Sequence, residues 1–576
     1  MWPDKESEID YLNFGYLVDM VADIATNRNL SPSTIGLYGD WGSGKSSLMK
    51  LARKKIEERD KAVKRGDDES GQLKSLCIEF NGWLFEGYED AKTSLCGAIL
   101  DALDDEKRFG EKVSNKAKEL LKKIDFKKIL GKGVKFGLDY LLTGGIGALT
   151  DLTLSSVLTS LKDSAGQIDS KQIEELLSKF KADEKTRTEI KNFRKEFGEL
   201  LKDSKVENLV VFIDELPWLD TPKSRFLSAL EHFWNSWASL RNDIKLITCG
   251  SATSWMLNEL INNRGGLHNR LTHKILLEPF TLKECKDFFD LNHFGYAERE
   301  IAECYMVMGG VPFYMKQMRK GLSVAQNIDA LFFEIGGQLS DEYQNLMRSL
   351  FSHSTNYMKI LEAISSKGIG LTRLDILEQT DLPNNGGLTT MLNELQSCGF
   401  IREYLPIDKQ KKSSLYQLID PYMLFYFRFV KTNKYQNEHF WVDSMTTAQH
   451  DSWCGYAFEI LCLNHIKQIK AALGIAGVET KIASWKSDKI KKGAQIDLLI
   501  DRKDDAINLC EMKYTKREFT ITAKYEKELI NKIEVFREES KTSKSVRLTM
   551  ITSKGLAHNT HSSIVQNELT LSDLFH

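Results

Sequence analysis

Five short runs of apolar and β-branched residues mark the first half of the chain: IGLYG (35–39), SLCIEF (75–80), LVVFID (209–214), IKLITCG (244–250) and KILLEPF (274–280). Stretches with helical spacing separate them. Strands alternating with helices predict a parallel sheet with helices on both faces, and uninterrupted apolar runs fit strands buried on both sides. From about Asp104 to Lys205 this rhythm breaks. The interval is Lys/Glu-rich and proline-free, which predicts a helical insertion whose charge runs are solvated faces. Residues 281–336 read as all helical, including the turn GGVPFY at 309–314. Beyond them, YMKILEAISS, LTRLDILEQT and GGLTTMLNELQSCGF predict three short helices, and REYLPID with KKSSLYQLID predicts a β-hairpin. Three helices and a hairpin make a winged helix-turn-helix. From about 452 to 576 the pattern is again mixed α/β.

A chain of 576 residues predicts several domains, and 42% hydrophobic with 28% charged residues is ordinary for a globular protein. The net charge of −2 gives no global field for nucleic acid, so any basic surface is local. The nine cysteines include no C-x-x-C pair, which argues against a zinc ribbon or disulfide framework and favours a reducing, cytoplasmic setting. The N-terminus MWPDKESEIDYLNFG has acidic residues where a signal peptide is basic. The most apolar stretch, Phe136 to Leu161, is interrupted by Asp139 and Asp151. It falls short of the roughly 20 apolar residues of a membrane helix, so membrane contact is disfavoured.

Gly39-Asp40-Trp41-Gly42-Ser43-Gly44-Lys45-Ser46, followed by Ser47, fits G-x-x-x-x-G-K-[ST] between a strand and a helix. Glycines let the backbone N–H groups turn toward phosphates, and the helix N-terminus adds partial positive charge. Lys45 would reach the β- and γ-phosphates and Ser46 would ligate Mg²⁺, so ATP and Mg are the expected cofactors. LVVFIDEL supplies the acidic strand end: Asp214 would hold Mg²⁺ through water, and Glu215 would polarise the attacking water. Whether Asp214 faces Lys45 depends on the sheet order. Ser251 or Thr248 at the fourth strand's end is a candidate γ-phosphate sensor. Arg264 and Arg270, in NNRGGLHNR, are candidates for an arginine finger, with Arg270 preferred.

The second helix of the helix-turn-helix, about 384–397, carries no Arg or Lys. Asn385, Asn393 and Gln396 are its base-reading candidates, and Lys409 to Lys412 offer phosphate contacts. Packing of this unit on the ATPase is the favoured alternative.

In the last region GAQIDLLIDRKDDAINLCEMKYT places Asp497 on one strand and Glu511 and Lys513 on one face of the next. If these strands form a hairpin, two carboxylates would bind Mg²⁺ and a lysine would stabilise charge. Gln495 precedes Asp497 by two positions. Lys486 to Lys492 form a local basic patch, and the His558 to His561 stretch HNTH, despite metal-like spacing, reads as a loop.

Three resemblances follow from these motifs. GDWGSGKSSLM and FNGWLFEGYED (80–90) resemble the KAP-type P-loop NTPases, which implies an insertion where 104–205 stands. From residue 209 onward FIDELPWLDTPKSRFLSALEHFWNSW, CGSATSWM, NNRGGLHNR and GGVPFY resemble the archaeal-type, STAND-like AAA ATPases, implying a winged helix and a C-terminal nuclease-like domain. The order helix, strand-D, strand-ExK resembles the PD-(D/E)XK nucleases, which implies that Glu459 on the preceding helix is a further active-site carboxylate.

The expected fold class is α/β: a P-loop sheet with a helical insertion over 1–280, a helical lid over 281–353, a winged helix over 354–434 and a nuclease-like α/β domain over 435–576. The expected function is an ATP-dependent, DNA-processing enzyme; its alternative is a signalling switch whose nuclease-like domain is an inert binding module. ATP and DNA or another nucleic acid are the expected partners, and homo-oligomerisation stays open.

Overall fold

The computed structural model describes residues 14–65, 75–81, 99–104, 109–129, 195–196, 198–204, 206–219, 226–236, 238–250, 256, 271–351, 353–404, 414–433, 437–487 and 493–576. The architecture is mixed α/β, built on a parallel central sheet. Its strands are β1 (Ser33–Gly39), β2 (Ser75–Asn81), β3 (Asn208–Asp214), β4 (Ile244–Gly250) and β5 (His273–Leu277), in the order β2-β3-β4-β1-β5. All four pairings are parallel, with Ile35 level with both Ile247 and His273, and Phe212 level with Ile247. The five apolar runs are these five strands.

Both faces of this sheet are covered, as runs without alternation require. Val210, Phe212, Ile247 and Cys249 face one core with helices α1 (Gly15–Thr26) and α2 (Lys45–Arg65). Leu209, Val211, Ile213 and Leu246 face a second core with Leu120, Leu200 and Trp234. Leu120 and Leu200 belong to the 104–205 interval, whose described part is helical over Glu111–Ile129. The apolar stretch 136–161 lies outside the described residues. Among the described residues, no helix is long and apolar enough to cross a membrane.

After β5 the chain is helical. Helix α3 (Leu282–Leu291) starts in a capping box in which Thr281 and Glu284 satisfy each other's backbone. Helix α4 (Glu298–Met308) ends on Gly309 in a left-handed turn and enters GGVPFY. Helices α5 (Ser354–Ser365), α6 (Arg373–Thr380) and α7 (Gly386–Ser397) follow. They accompany a small antiparallel sheet in the order β6 (Leu371–Thr372), β8 (Leu415–Leu418), β7 (Ile401–Tyr404). The apolar residues of this unit continue the first core without a break.

The last region begins with helix α8 (Ala448–Asn464). Strands β9 (Thr480–Lys486), β10 (Gln495–Arg502) and β11 (Ala506–Lys513) are antiparallel neighbours. Helix α9 (Ala523–Ser540) then returns the chain to β13 (Ser545–Thr552), which runs parallel to β11, and β15 (Asn567–Thr570) forms the far edge. The short β12 (Phe519–Thr520) and β14 (Leu556–Ala557) pair separately. Leu498, Cys510 and Met512 join the core on the α8 side, while Leu499, Leu509 and Leu529 form the core beneath α9.

Candidate functional site

The glycine-rich loop lies between β1 and α2. Gly42, at φ +74°, is so close to the 309–314 turn that an added Cβ would lie 2.7 Å from Phe313 Cβ. Phe313 N–H donates to the Gly42 carbonyl at 3.3 Å. Lys45 is 3% exposed and folds over its own loop, donating from Nζ to the carbonyls of Gly39 (3.0 Å) and Asp40 (2.7 Å). Ser43 is buried, and Gly44, Ser46 and Ser47 are half-buried. A backbone cradle, a lysine bonding only to neutral loop groups, the Ser46 hydroxyl and an acidic strand end fit a Mg–nucleotide, so the donor set suits the group.

The sheet order places β4 between β1 and β3, so Lys45 and Asp214 belong to one sheet edge with a strand between them. That intervening strand holds a residue the sequence reading missed. Cys249, fully buried, donates its thiol to Asp214 Oδ1. Burial, then the charges of Asp214 and Glu215, push the thiol well above its usual range, so it stays a donor. Alternation explains Thr248: facing the other way from Cys249, it is buried and within 3.5 Å of the Ile35 carbonyl, which argues against a sensor role. Ser251, Arg264 and Arg270 lie outside the described residues. Glu215 is buried at φ +51°, and its N–H donates to Asp214 Oδ1 at 3.0 Å.

The loop also meets the later helices. The Trp41 side chain hydrogen-bonds Glu342, so this indole is committed to the helical segment. Asp40 lies against Gly399, where an added Cβ would be 3.3 Å from Oδ2. Burial raises Asp40 to about 7; Lys45 opposes this, while Asp420 and Glu278 add to it. Burial likewise raises Asp420 to about 6, against the Met423 N–H that it accepts. Asn385 is spent as the N-cap of α7, accepting from Leu388 N–H at 3.3 Å, whereas Asn393 and Gln396 remain exposed. Lys409 to Lys412 lie outside the described residues.

The C-terminal carboxylates come from three elements. The strands of Asp497 and Glu511 do form an antiparallel pair, whose last matched residues are Leu498 and Cys510. The ladder stops one step short of Asp497 and Glu511, which flank its open end. There the β9–β10 register shifts between Ile496 and Leu499, a bulge that breaks side-chain alternation at Asp497. Gln495 Nε2 donates to Asp497 Oδ1 at 2.7 Å. Glu459 projects from α8, and burial followed by repulsion from Asp497 raises it to about 8. Glu511 is 7% exposed. Burial alone would raise it, but Lys532 at 2.7 Å and Lys513 at 2.9 Å override that and hold it at about 2. The Tyr525 hydroxyl donates to its Oε1.

Both oxygens of Glu511 are therefore engaged, by Tyr525 and Lys532 of α9 and by Lys513. Among the described residues, no group of three His, Cys, Asp or Glu is placed to hold a metal ion. In this arrangement the C-terminal donor set does not fit a divalent cation. His561 pairs with Glu526 and His558 lies near Glu568, so the HNTH histidines serve separate carboxylates. Of the basic run, Lys486 is described and exposed, and Lys489 to Lys492 lie outside the described residues.

A family model described as the KAP family P-loop domain matches residues 17–234, so this part is a P-loop NTPase domain, a fold that implies nucleotide binding. The match runs through β3, so the KAP likeness extends past the acidic strand where a change of lineage was expected. A second model, described as Archaea bacterial proteins of unknown function, matches 426–528. An uncharacterized protein of Methanocaldococcus jannaschii is 26% identical over 51% of this chain, and the match spans 64% of that protein's length. Among solved structures, the Walker-type ATPase PABY2304 of Pyrococcus abyssi is 16% identical, with a TM-score of 0.38 over 74% of this chain and 97% of its own. The ORC2 protein of Aeropyrum pernix is 13% identical, with a TM-score of 0.34 over 73% of this chain and 94% of its own.

Proposed function

We propose that this chain is an ATP-dependent nucleic-acid-processing protein. The P-loop domain binds and hydrolyses Mg-ATP, the 354–434 unit is a winged helix resting on the loop, and the C-terminal domain is nuclease-like. The observation that supports the last step most is the meeting of Glu459, Asp497, Glu511 and Lys513 where the β10–β11 pair opens. In the P-loop domain Ser46 and Asp214 would hold Mg²⁺, which supplies charge neutralisation on the phosphates. Lys45 would leave its loop carbonyls for the phosphates, and Glu215 would take the proton of the attacking water. Cys249 holds Asp214 in place. In the C-terminal domain we derive no metal-dependent step, because Glu511 is already satisfied.

That same satisfaction of Glu511 favours a second reading, a signalling switch whose nuclease-like domain only binds. Cleavage of single-stranded and duplex DNA by the purified protein with Mg²⁺ and ATP separates the two. Cutting lost in Asp497→Ala and reduced in Lys45→Ala supports the nuclease. Intact ATP turnover with no cutting of any substrate leaves the switch.

A further inference from the structure

A cavity of about 470 Å³ lies between the β7–β8 hairpin and the C-terminal sheet. The hairpin side contributes Arg402, Tyr404 and Gln417; the other side contributes Tyr456, Glu459 and Asp497. No single segment makes it: the 367–369 turn, the β7–β8 hairpin, α8 and strands β9 and β10 converge there.

Arg402 is its most informative residue. Its Nε donates to Gln417 Oε1 at 2.7 Å, and its guanidinium lies 4.6 Å from the centroid of the Tyr404 ring. Gln417 is held in turn by the Gly368 carbonyl at 2.7 Å. The same turn fixes both rings, Tyr404 through the Ile369 carbonyl and Tyr456 through the Gly368 carbonyl at 3.0 Å. The fork is thus pre-set. Among the described residues no carboxylate forms an ion pair with Arg402, although it lines a pocket that also holds two acids. Arg402 is half-buried, and Asp497 across the cavity offsets the burial of its charge only in part, so a phosphate can answer it with paired, charge-assisted hydrogen bonds. The exposed Lys367 and Lys486 at the rim add positive charge.

Size and walls narrow the ligand. A pocket of this volume lies in the small-ligand range and admits one nucleotide, not a duplex. Aromatic faces beside a cation are how single strands are held without sequence preference. We infer that this cavity binds one unit of a single-stranded nucleic acid, its phosphate on Arg402 and its base against Tyr404 and Tyr456, beside Glu459 and Asp497. This rests on the nuclease-like reading and deepens it: the substrate is a single-stranded end or flap.

The test is fluorescence anisotropy of short oligothymidylate, oligouridylate and a duplex of equal length on the full chain, in chelator so that nothing is cut. Single strands bind more tightly than duplex. Arg402→Ala weakens that binding about tenfold or more and lowers the salt slope by about 0.7, one phosphate contact. Arg402→Lys restores the slope but not the full affinity. Lys367→Ala, at an exposed rim position, lowers the slope with unchanged melting, which covers a failure of Arg402→Ala to fold. A preference for DNA or for RNA assigns the sugar. Duplex binding equal to single strand, or slopes unchanged in both variants, overturns the proposal. If wild type cuts nothing yet binding follows Arg402, the nuclease reading fails and the pocket stands. Cutting that needs Asp497 but ignores Arg402 and Lys367 gives the reverse.

Discussion

Glu215 is the non-glycine residue whose backbone tells most about the nucleotide site. At φ +51° it occupies a region that costs roughly 1–2 kcal/mol for a side chain with a Cβ. Glu215→Gln should lower ATP turnover about a hundredfold or more, the worth of a positioned base. Glu215→Gly should lose turnover equally while melting no lower than the Gln variant, because it releases the strain. Paired turnover and thermal-melting measurements check both. Asp40 carries a pH dependence of definite sign. Its carboxyl titrates near 7 in the fold against 3.8 for the ordinary group, so the folded state holds the proton longer. The contribution of this contact is full below about pH 4 and is lost as pH rises toward 7. Asp40→Asn should flatten the fall in melting temperature across that window. LVVFIDEL advertises the base and its aspartate; nothing near Cys249 advertises a donor to Asp214, because that contact depends on which strand the sheet inserts.

At the level of elements, His465 joins two of them. Its Nε2 accepts from Leu282 N–H, the first residue of α3, at 2.9 Å, and its Nδ1 donates to the Leu461 carbonyl at 2.8 Å. The ring is therefore neutral, and burial lowers it to about 4 from 6.5. A depressed histidine contributes stability above pH 6.5 that is lost as pH falls toward 4. His465→Ala should cost about 1 kcal/mol, a lost cap, and should remove that acid-side loss in denaturant titrations. The apolar runs and helical spacing make the elements themselves legible. Asn385 reads as a base contact; that it caps α7 shows only once the helix start at Gly386 is fixed.

Across the whole molecule, α4 links the two sites. Near its start Arg299 donates to the Thr515 carbonyl at 3.2 Å, and at its middle Glu303 accepts from the Tyr514 hydroxyl at 2.7 Å, just beyond Lys513. Its other end runs through Gly309 into the turn that covers Gly42. A helix of 11 residues, about 16 Å long, moves as a unit. Tyr514→Phe should leave ATP affinity unchanged and shrink any effect of ATP on oligonucleotide binding, read by anisotropy with and without nucleotide. An undiminished ATP effect would show that α4 is not the link.

The sequence by itself determined the parallel sheet, the phosphate loop, the acidic strand and the carboxylate-bearing hairpin, because each is local: periodicity, glycine spacing and alternation act over a few residues. Only the tertiary structure decided that β4 separates Lys45 from Asp214, that Lys532 and Tyr525 occupy Glu511, and that Arg402 faces Asp497 across a cavity. Those contacts join residues tens to hundreds of positions apart, and their energies come from burial and charge pairing that no local pattern encodes.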